Sequence, residues 1–147
     1  MNAESPARDI KSIEEFTVYA LERTGEGLDL VRSAAARCAD AIDSAEPSAL
    51  RQLSELAGSI REFDVFENSV CEMFMLDRGM VGDAGGTLKE AKDAYVEAMQ
   101  SLSALLQAQD LPGVARLLKG GLASAIGRLR ELMPALGEYI RNEYMAA

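Results

Sequence analysis

Histidine is absent from the 147 residues of this chain, which removes the side chain that most often serves as a general base near neutral pH. Its absence excludes His-dependent catalytic triads and helical iron sites built on a Glu-x-x-His pattern. The two cysteines, Cys38 and Cys71, therefore lack the usual partner that activates a thiol nucleophile. The sequence predicts a protein that is not an enzyme, with no catalytic residues, no cofactor and no metal site.

Tryptophan is also absent and aromatic residues make up only 5% of the chain, although 48% of its residues are apolar. The core must therefore consist mainly of Ala, Leu, Val, Ile and Met, which suit helices packed on helices. No strand-like alternation and no internal repeat occurs. We therefore expect an all-α fold in one domain that spans residues 1–147.

Positive charge is scarce, since the net charge is −9 and the isoelectric point is near 4.5. A general nucleic-acid binder needs clustered Lys and Arg, and an anionic membrane would repel this chain for the same reason. No apolar run reaches 18 residues, and the first residues lack the features of a signal peptide. The expectation is a soluble cytoplasmic protein that binds neither nucleic acid nor membranes.

Apolar residues that recur every three or four positions predict an antiparallel up-down four-helix bundle. The four helical segments cover residues 9–44, 47–77, 87–109 and 112–144. Two start signals compete in the first segment, Ser5 before Pro6 and Ser12 three residues before Glu15. The same segment carries a possible bend or break at Gly25 and Gly27.

Glycine and proline also mark the other segments. Pro47 predicts a first-turn proline at the start of the second segment, and Gly79 is positioned to cap its end. The third segment begins with a capping box that starts at Thr87. Because the third segment is shorter than its neighbours, the last helix either overhangs it or breaks at Gly120-Gly121, and we favour the break. Pro134 is a further weak point.

The cysteines are predicted to be unpaired. In a helical hairpin that turns near Ala45, Cys38 and Cys71 would be offset by roughly 28 Å, at about 1.5 Å per residue. We therefore expect two buried free thiols.

An unusually wide apolar band marks the second segment, because three of the four phenylalanines and three of the seven methionines fall between residues 63 and 80. Methionine adapts its shape to a partner at little strain, so such a band is typical of interfaces. The band is explained by the core alone, by a homodimer interface or by a groove for a partner helix. The candidate partner-binding residues are Phe63, Phe66, Val70, Met73, Phe74, Met75 and Met80.

Charge is distributed unevenly, since residues 1–97 contain 20 acids and 10 bases and residues 98–147 contain 4 acids and 5 bases. A basic amphipathic stretch holds Arg116, Lys119, Arg128 and Arg130. It either complements the acidic helices internally or forms a docking surface for an acidic partner segment. In the second case Arg116 and Lys119 would orient a bound helix.

Carboxylates crowd the second segment at Glu62, Asp64, Glu67 and Glu72. A solvated helix surface explains most of them. Asp64 and Glu67, however, come near the apolar stripe, so a partly buried carboxylate could pair with Arg61 or with an arginine elsewhere.

Small size, acidity, helical periodicity and surplus apolar residues together resemble bacterial secretion and flagellar export chaperones. This resemblance implies a protein that holds an aggregation-prone helical segment of a cargo protein. The stretch Gln109-Asp-Leu-Pro-Gly-Val-Ala-Arg-Leu-Leu118, under a tenth of the chain, also looks like turns in uncharacterised bacterial helical proteins. The predicted function is a chaperone-like or adaptor-like protein-binding module, with a self-associating structural bundle as the alternative.

Overall fold

A computed structural model of the chain describes residues 12–144, and the all-α class is confirmed. The elements in chain order are α1 (Ile13–Asp43), α2 (Ala49–Met73), a 3₁₀ turn (Arg78–Met80), β1 (Gly82–Asp83), β2 (Gly86–Thr87), α3 (Leu88–Gln107), α4 (Leu111–Lys119) and α5 (Gly121–Tyr144). The predicted start signal at Ser5 and Pro6 lies outside the described residues.

Helix α1 is the centre of the bundle and packs against α2, α4 and α5. Its apolar side chains meet α5 in antiparallel order, since Val18 and Leu21 lie beside Gly137 while Arg32 lies beside Gly127. The core is continuous and consists largely of Leu, Ala and Val. It lies mainly between α1, α3 and α5, because α5 buries six leucine and isoleucine side chains: Leu122, Ile126, Leu129, Leu132, Leu136 and Ile140.

The helix starts follow the predicted capping signals. The Ser12 hydroxyl accepts a hydrogen bond from the Glu15 amide at 3.1 Å. Thr87 and Glu90 form the expected capping box, in which each side chain accepts from the other residue's amide. Such caps satisfy amides that have no partner within the helix.

The predicted weak points in the helices have different outcomes. The break between the last two helices is confirmed, because α4 ends at Lys119 and α5 begins at Gly121. Pro134 lies inside α5 without interrupting it. Gly25 and Gly27 likewise leave α1 continuous, since the packing of α5 along this helix outweighs a glycine penalty of about 1 kcal/mol each.

The predicted end of α2 is wrong. The helix stops at Met73, and Met75 takes the left-handed conformation at φ 49°. The Leu76 amide then donates to the Cys71 carbonyl at 2.8 Å, which closes a Schellman motif. Gly79 lies in the following 3₁₀ turn instead of capping α2. Pro47 precedes α2, which begins two residues later than the proline, at Ala49.

The connection between α2 and α3 contains a small hairpin that the sequence pattern did not predict. Gly82 pairs with Thr87 and Asp83 with Gly86. A methyl group on Gly82 would lie 2.4 Å from the Gly86 carbonyl oxygen, so only glycine fits there. Arg128 of α5 holds the hairpin with hydrogen bonds to Asp83, the shorter at 2.6 Å. The connection is therefore anchored to the bundle.

Both cysteines are free and buried, as predicted. Cys38 lies in α1, with its sulfur 3.9 Å from the Ala49 carbonyl oxygen at the start of α2. Burial raises the pKa of the Cys38 thiol above its usual value.

Candidate binding groove

An open groove of about 640 Å³ lies between α1 and α2. Apolar and small side chains form most of its surface, and among residues 12–144 the charged ones that line it are Arg37 and Glu62. The residues that line it are Thr24, Gly27, Leu28, Leu30, Val31, Ala34, Arg37, Ser59, Glu62, Phe63 and Phe66. Helices α1 and α2 each bury one apolar face in the core. The groove is formed by additional apolar surface on the same two helices.

The helical period explains why these residues share one face. On α1, positions 24, 27, 31 and 34 recur at spacings of three or four, and so do positions 59, 62 and 66 on α2. Gly27 and Ala34 are small, and a methyl group on Gly27 would meet nothing within 4 Å. The α1 wall is therefore low enough for another backbone to approach closely.

A second cleft of about 220 Å³ continues the groove towards the α1–α2 turn. It shares Ala34, Arg37 and Ser59 with the first and adds Gln52, Glu55 and Leu56. Along α1 the combined surface runs from Thr24 to Arg37, which is about 20 Å of helix. That length matches a bound helix of roughly four turns.

The structure brings only two of the predicted partner-binding residues on α2 to this groove. Phe63 and Phe66 line it, whereas Val70 and Phe74 are buried in the core. Three methionines are exposed but lie outside the groove lining: Met73, Met75 and Met80. The wide apolar band on α2 is therefore divided between the two: its first part lines the groove, and its later part packs in the core.

The basic stretch mostly pairs with acidic residues of the same chain. Lys119 lies 2.5 Å from Asp40 of α1, and Arg130 lies 3.2 Å from Asp29 of the same helix. Arg128 pairs with Asp83, as described above. Arg116 is exposed, and within residues 12–144 it forms no ion pair. Neither Arg116 nor Lys119 lines the groove, so these side chains lie elsewhere than the α2 phenylalanines.

The opposite side of α2 holds a buried ionic network around Glu67, whose side chain is 0% exposed. Arg78 donates to both carboxylate oxygens, at 2.8 and 2.7 Å. Lys92 of α3 donates to Glu67 at 2.8 Å and to Asp64 at 3.1 Å. Two carboxylates and two cations thus compensate each other, and in the described part of the chain no buried side-chain polar atom lacks a hydrogen-bond partner.

The network shifts the ionisation of its members. Burial opposes ionisation of Glu67, but hydrogen bonds from Arg78 and Lys92 outweigh it and hold the pKa of Glu67 below its usual value. Burial, together with the nearby Glu67 charge, raises the pKa of the Cys71 thiol to about 11. Burial and the Asp64 charge raise the pKa of Tyr95. Cys71 is therefore a protonated thiol near neutral pH, which suits a structural role better than a nucleophilic one.

Phe63 connects the groove to the network. One part of its side chain lines the groove, while its ring packs edge-on against Tyr95 at 6.1 Å between centroids. The Lys92 ammonium lies 5.9 Å from the centre of the Phe63 ring, within range of a cation–π contact. The groove floor therefore rests on a side chain that the buried network positions.

Sequence reasoning missed the α1 half of the groove and the Lys92 partner of the network. On α1, Val31 is only half-buried and Leu30 is an exposed apolar residue, so this helix has apolar surface that the core does not cover. Lys92 lies between Ala91 and Tyr95 on the buried face of α3, and this position was a usable signal. Arg78 was identifiable only as an arginine elsewhere in the chain, and Arg61 is not part of the network.

Residues 12–144 contain no group of three or more His, Cys, Asp or Glu side chains that could hold a metal ion. No helix in the same range is long and apolar enough to cross a membrane.

Comparisons with protein-family models, with curated proteins and with solved structures find no match to this chain.

Proposed function

We propose that this protein is a non-enzymatic binding module that holds a helical segment of a partner protein in the α1–α2 groove, as a chaperone or an adaptor does. The observation that carries the proposal is the open apolar groove itself. Leu30 on its rim is 71% exposed, and the half-buried Phe66 lies on the opposite wall.

A bound helix would bury the apolar surface that these residues expose. Each square ångström of apolar surface removed from water contributes about 25 cal/mol, and a helix fits because its apolar side chains recur at i, i+3, i+4 and i+7. The partner's large side chains would contact Leu30, Phe63 and Phe66, while Gly27 and Ala34 admit its backbone. The two unpaired thiols and the acidic composition support a cytoplasmic location.

The alternative occupant is a second copy of the chain. Exposed apolar residues continue beyond the groove at Met73 and Met75 near the end of α2, and a symmetric interface could cover both patches at once. In that case the protein would be a structural homodimer without separate cargo.

Two matched substitutions distinguish the groove from general surface hydrophobicity. Leu30→Asp places a charge on the groove rim, whereas Leu50→Asp changes an equally exposed leucine, at 66%, that does not line the groove. The tagged wild type and both variants would be captured from the native cell extract, and the bound species weighed by native mass spectrometry.

The proposal predicts a stoichiometric foreign protein on the wild type and on Leu50→Asp, and its loss from Leu30→Asp. A defined homodimer that Leu30→Asp converts to monomer would support the second copy as occupant. Equal capture by all three proteins would rule out the groove as the binding surface.

A further inference from the structure

The groove carries two charged residues on an otherwise apolar and small-residue lining. Lys119, Arg128 and Arg130 each pair with an acidic side chain of the same chain. Arg37 and Glu62 are the only charged residues lining the main groove, and in the described range neither forms an ion pair. The groove rim therefore carries one positive and one negative charge without partners.

These two charges lie at different levels along the groove. Helices α1 and α2 are antiparallel, so Arg37 lies beside Gln52 and Glu55, whereas Glu62 lies seven residues further along α2 than Glu55. At about 1.5 Å per residue, the two charges are roughly 10 to 15 Å apart along the helix axes, which is about eight residues of a bound helix.

Resting on the proposed function, we infer that the partner is an amphipathic helix of about four turns that carries a basic side chain opposite Glu62 and an acidic one opposite Arg37. Its apolar face lies on Leu30, Phe63 and Phe66. The charges flank that face and set the register and direction of the helix, because rim charges contribute specificity more than affinity. Glu55 lies beside Arg37 and weakens its attraction for an acid, so Glu62 discriminates more strongly.

Two synthetic peptides test this inference. Both are amphipathic helices of about 16 residues with the same leucine face, and both carry one Glu on the flank of that face. About eight residues away, the first peptide carries Lys and the second carries another Glu. Binding to the full-length protein is followed by fluorescence anisotropy at low and high salt, after circular dichroism has shown equal helix content.

Wild type should bind the Glu/Lys peptide about threefold to fivefold more tightly than the Glu/Glu peptide at low salt, and this preference should shrink at high salt. Glu62→Arg should reverse the preference. Glu97→Arg on α3 is the matched control, since it makes the same change in net charge at an exposed position outside the groove. This control should retain the wild-type preference.

Equal binding of both peptides to the wild type would overturn the inferred charge pattern while leaving the groove as a helix-binding site. A reversal by Glu97→Arg as large as that by Glu62→Arg would overturn it too, because overall charge would then explain the preference. Failure of either peptide to bind the wild type, together with partner capture that Leu30→Asp leaves intact, would overturn the proposed function as well.

Discussion

The two sides of α2 use charge in opposite ways. On the α3 side, Glu67 is fully buried and both of its oxygens accept hydrogen bonds from Arg78 and Lys92. On the α1 side, Glu62 is exposed at the rim of an apolar groove and has no ion pair among the described residues. The two glutamates are five residues apart on one helix, yet only Glu67 forms ion pairs within the described part of the chain.

Glu67 and Glu62 differ in their exposure to water. A carboxylate removed from water is tolerated only when paired and hydrogen-bonded, so Glu67 requires both cations in fixed positions. Glu62 remains solvated, and its charge is available to another molecule. The α3 side of α2 thus holds a buried ionic network that stabilises the fold, whereas the solvated groove edge on the α1 side is where we propose that the partner binds.

The largest expected effect comes from removing Glu67. Glu67→Ala leaves Arg78 and Lys92 next to an empty site, and breaking a buried pair in this way costs about 3 kcal/mol of the free energy of unfolding. The change is measured by urea denaturation. Glu62→Ala on the solvated side should stay within about 0.5 kcal/mol of wild type, and comparable losses in the two variants would contradict the contrast drawn here.

Phe63 and Phe66 sharpen the comparison within the groove. Phe63 is buried and packs on Tyr95, so Phe63→Ala should lower the free energy of unfolding by about 3 kcal/mol. Phe66 is half-buried, and Phe66→Ala should cost only about 1 kcal/mol while weakening partner binding. A larger stability loss for Phe66→Ala than for Phe63→Ala would show that the groove wall, and not its floor, supports the core.

Acid should weaken the network selectively. Because the pKa of Glu67 is lower in the folded protein than its usual 4.5, the unfolded chain binds a proton more readily than the native state. The stabilisation from Glu67 is therefore fully present above about pH 5 and is lost as the pH falls through the folded pKa. Urea midpoints between neutral pH and about pH 3 should fall less steeply in Glu67→Gln than in wild type; parallel curves would remove Glu67 from the acid response.

The smallest effect on stability is expected at the C-terminal end of α2. Met75 has a left-handed backbone, and its side chain is 89% exposed, so Met75→Gly should raise the free energy of unfolding by about 1 kcal/mol without loss of packing. Gly79→Ala should have little effect, since Gly79 does not cap the helix. Thermal denaturation of both variants tests this, and destabilisation by Met75→Gly would indicate that Met75 makes a contact.

Local signals in the sequence were enough for the helices and most of their starts. Ser12, Thr87 and Gly120 act on residues within one helical turn, so their effects can be predicted from spacing alone. Met75 shows the limit, because the chain reverses there for the burial of Phe74 and Val81 and not for its own conformational preference.

The candidate site was harder to predict because it depends on contacts between helices. The apolar pattern of α2 predicts Phe63 and Phe66 as binding residues. The α1 wall could not be predicted in this way, because which face of α1 stays open depends on where α5 packs. The positions of Asp64 and Glu67 near the apolar stripe predict a partly buried carboxylate, and Glu67 is fully buried. Its partners Arg78 and Lys92 are 11 and 25 residues away along the chain, and no local pattern connects them.

The anchored hairpin has a consequence for the order of folding. Arg128 of α5 holds Asp83, and the two strands are only two residues long, so the hairpin has little support of its own before α5 has packed into the core. We expect the segment from Gly82 to Thr87 to acquire protection from hydrogen exchange after the core of α1 and α5 during refolding. The shortest elements of the protein would then be the last to take their final form.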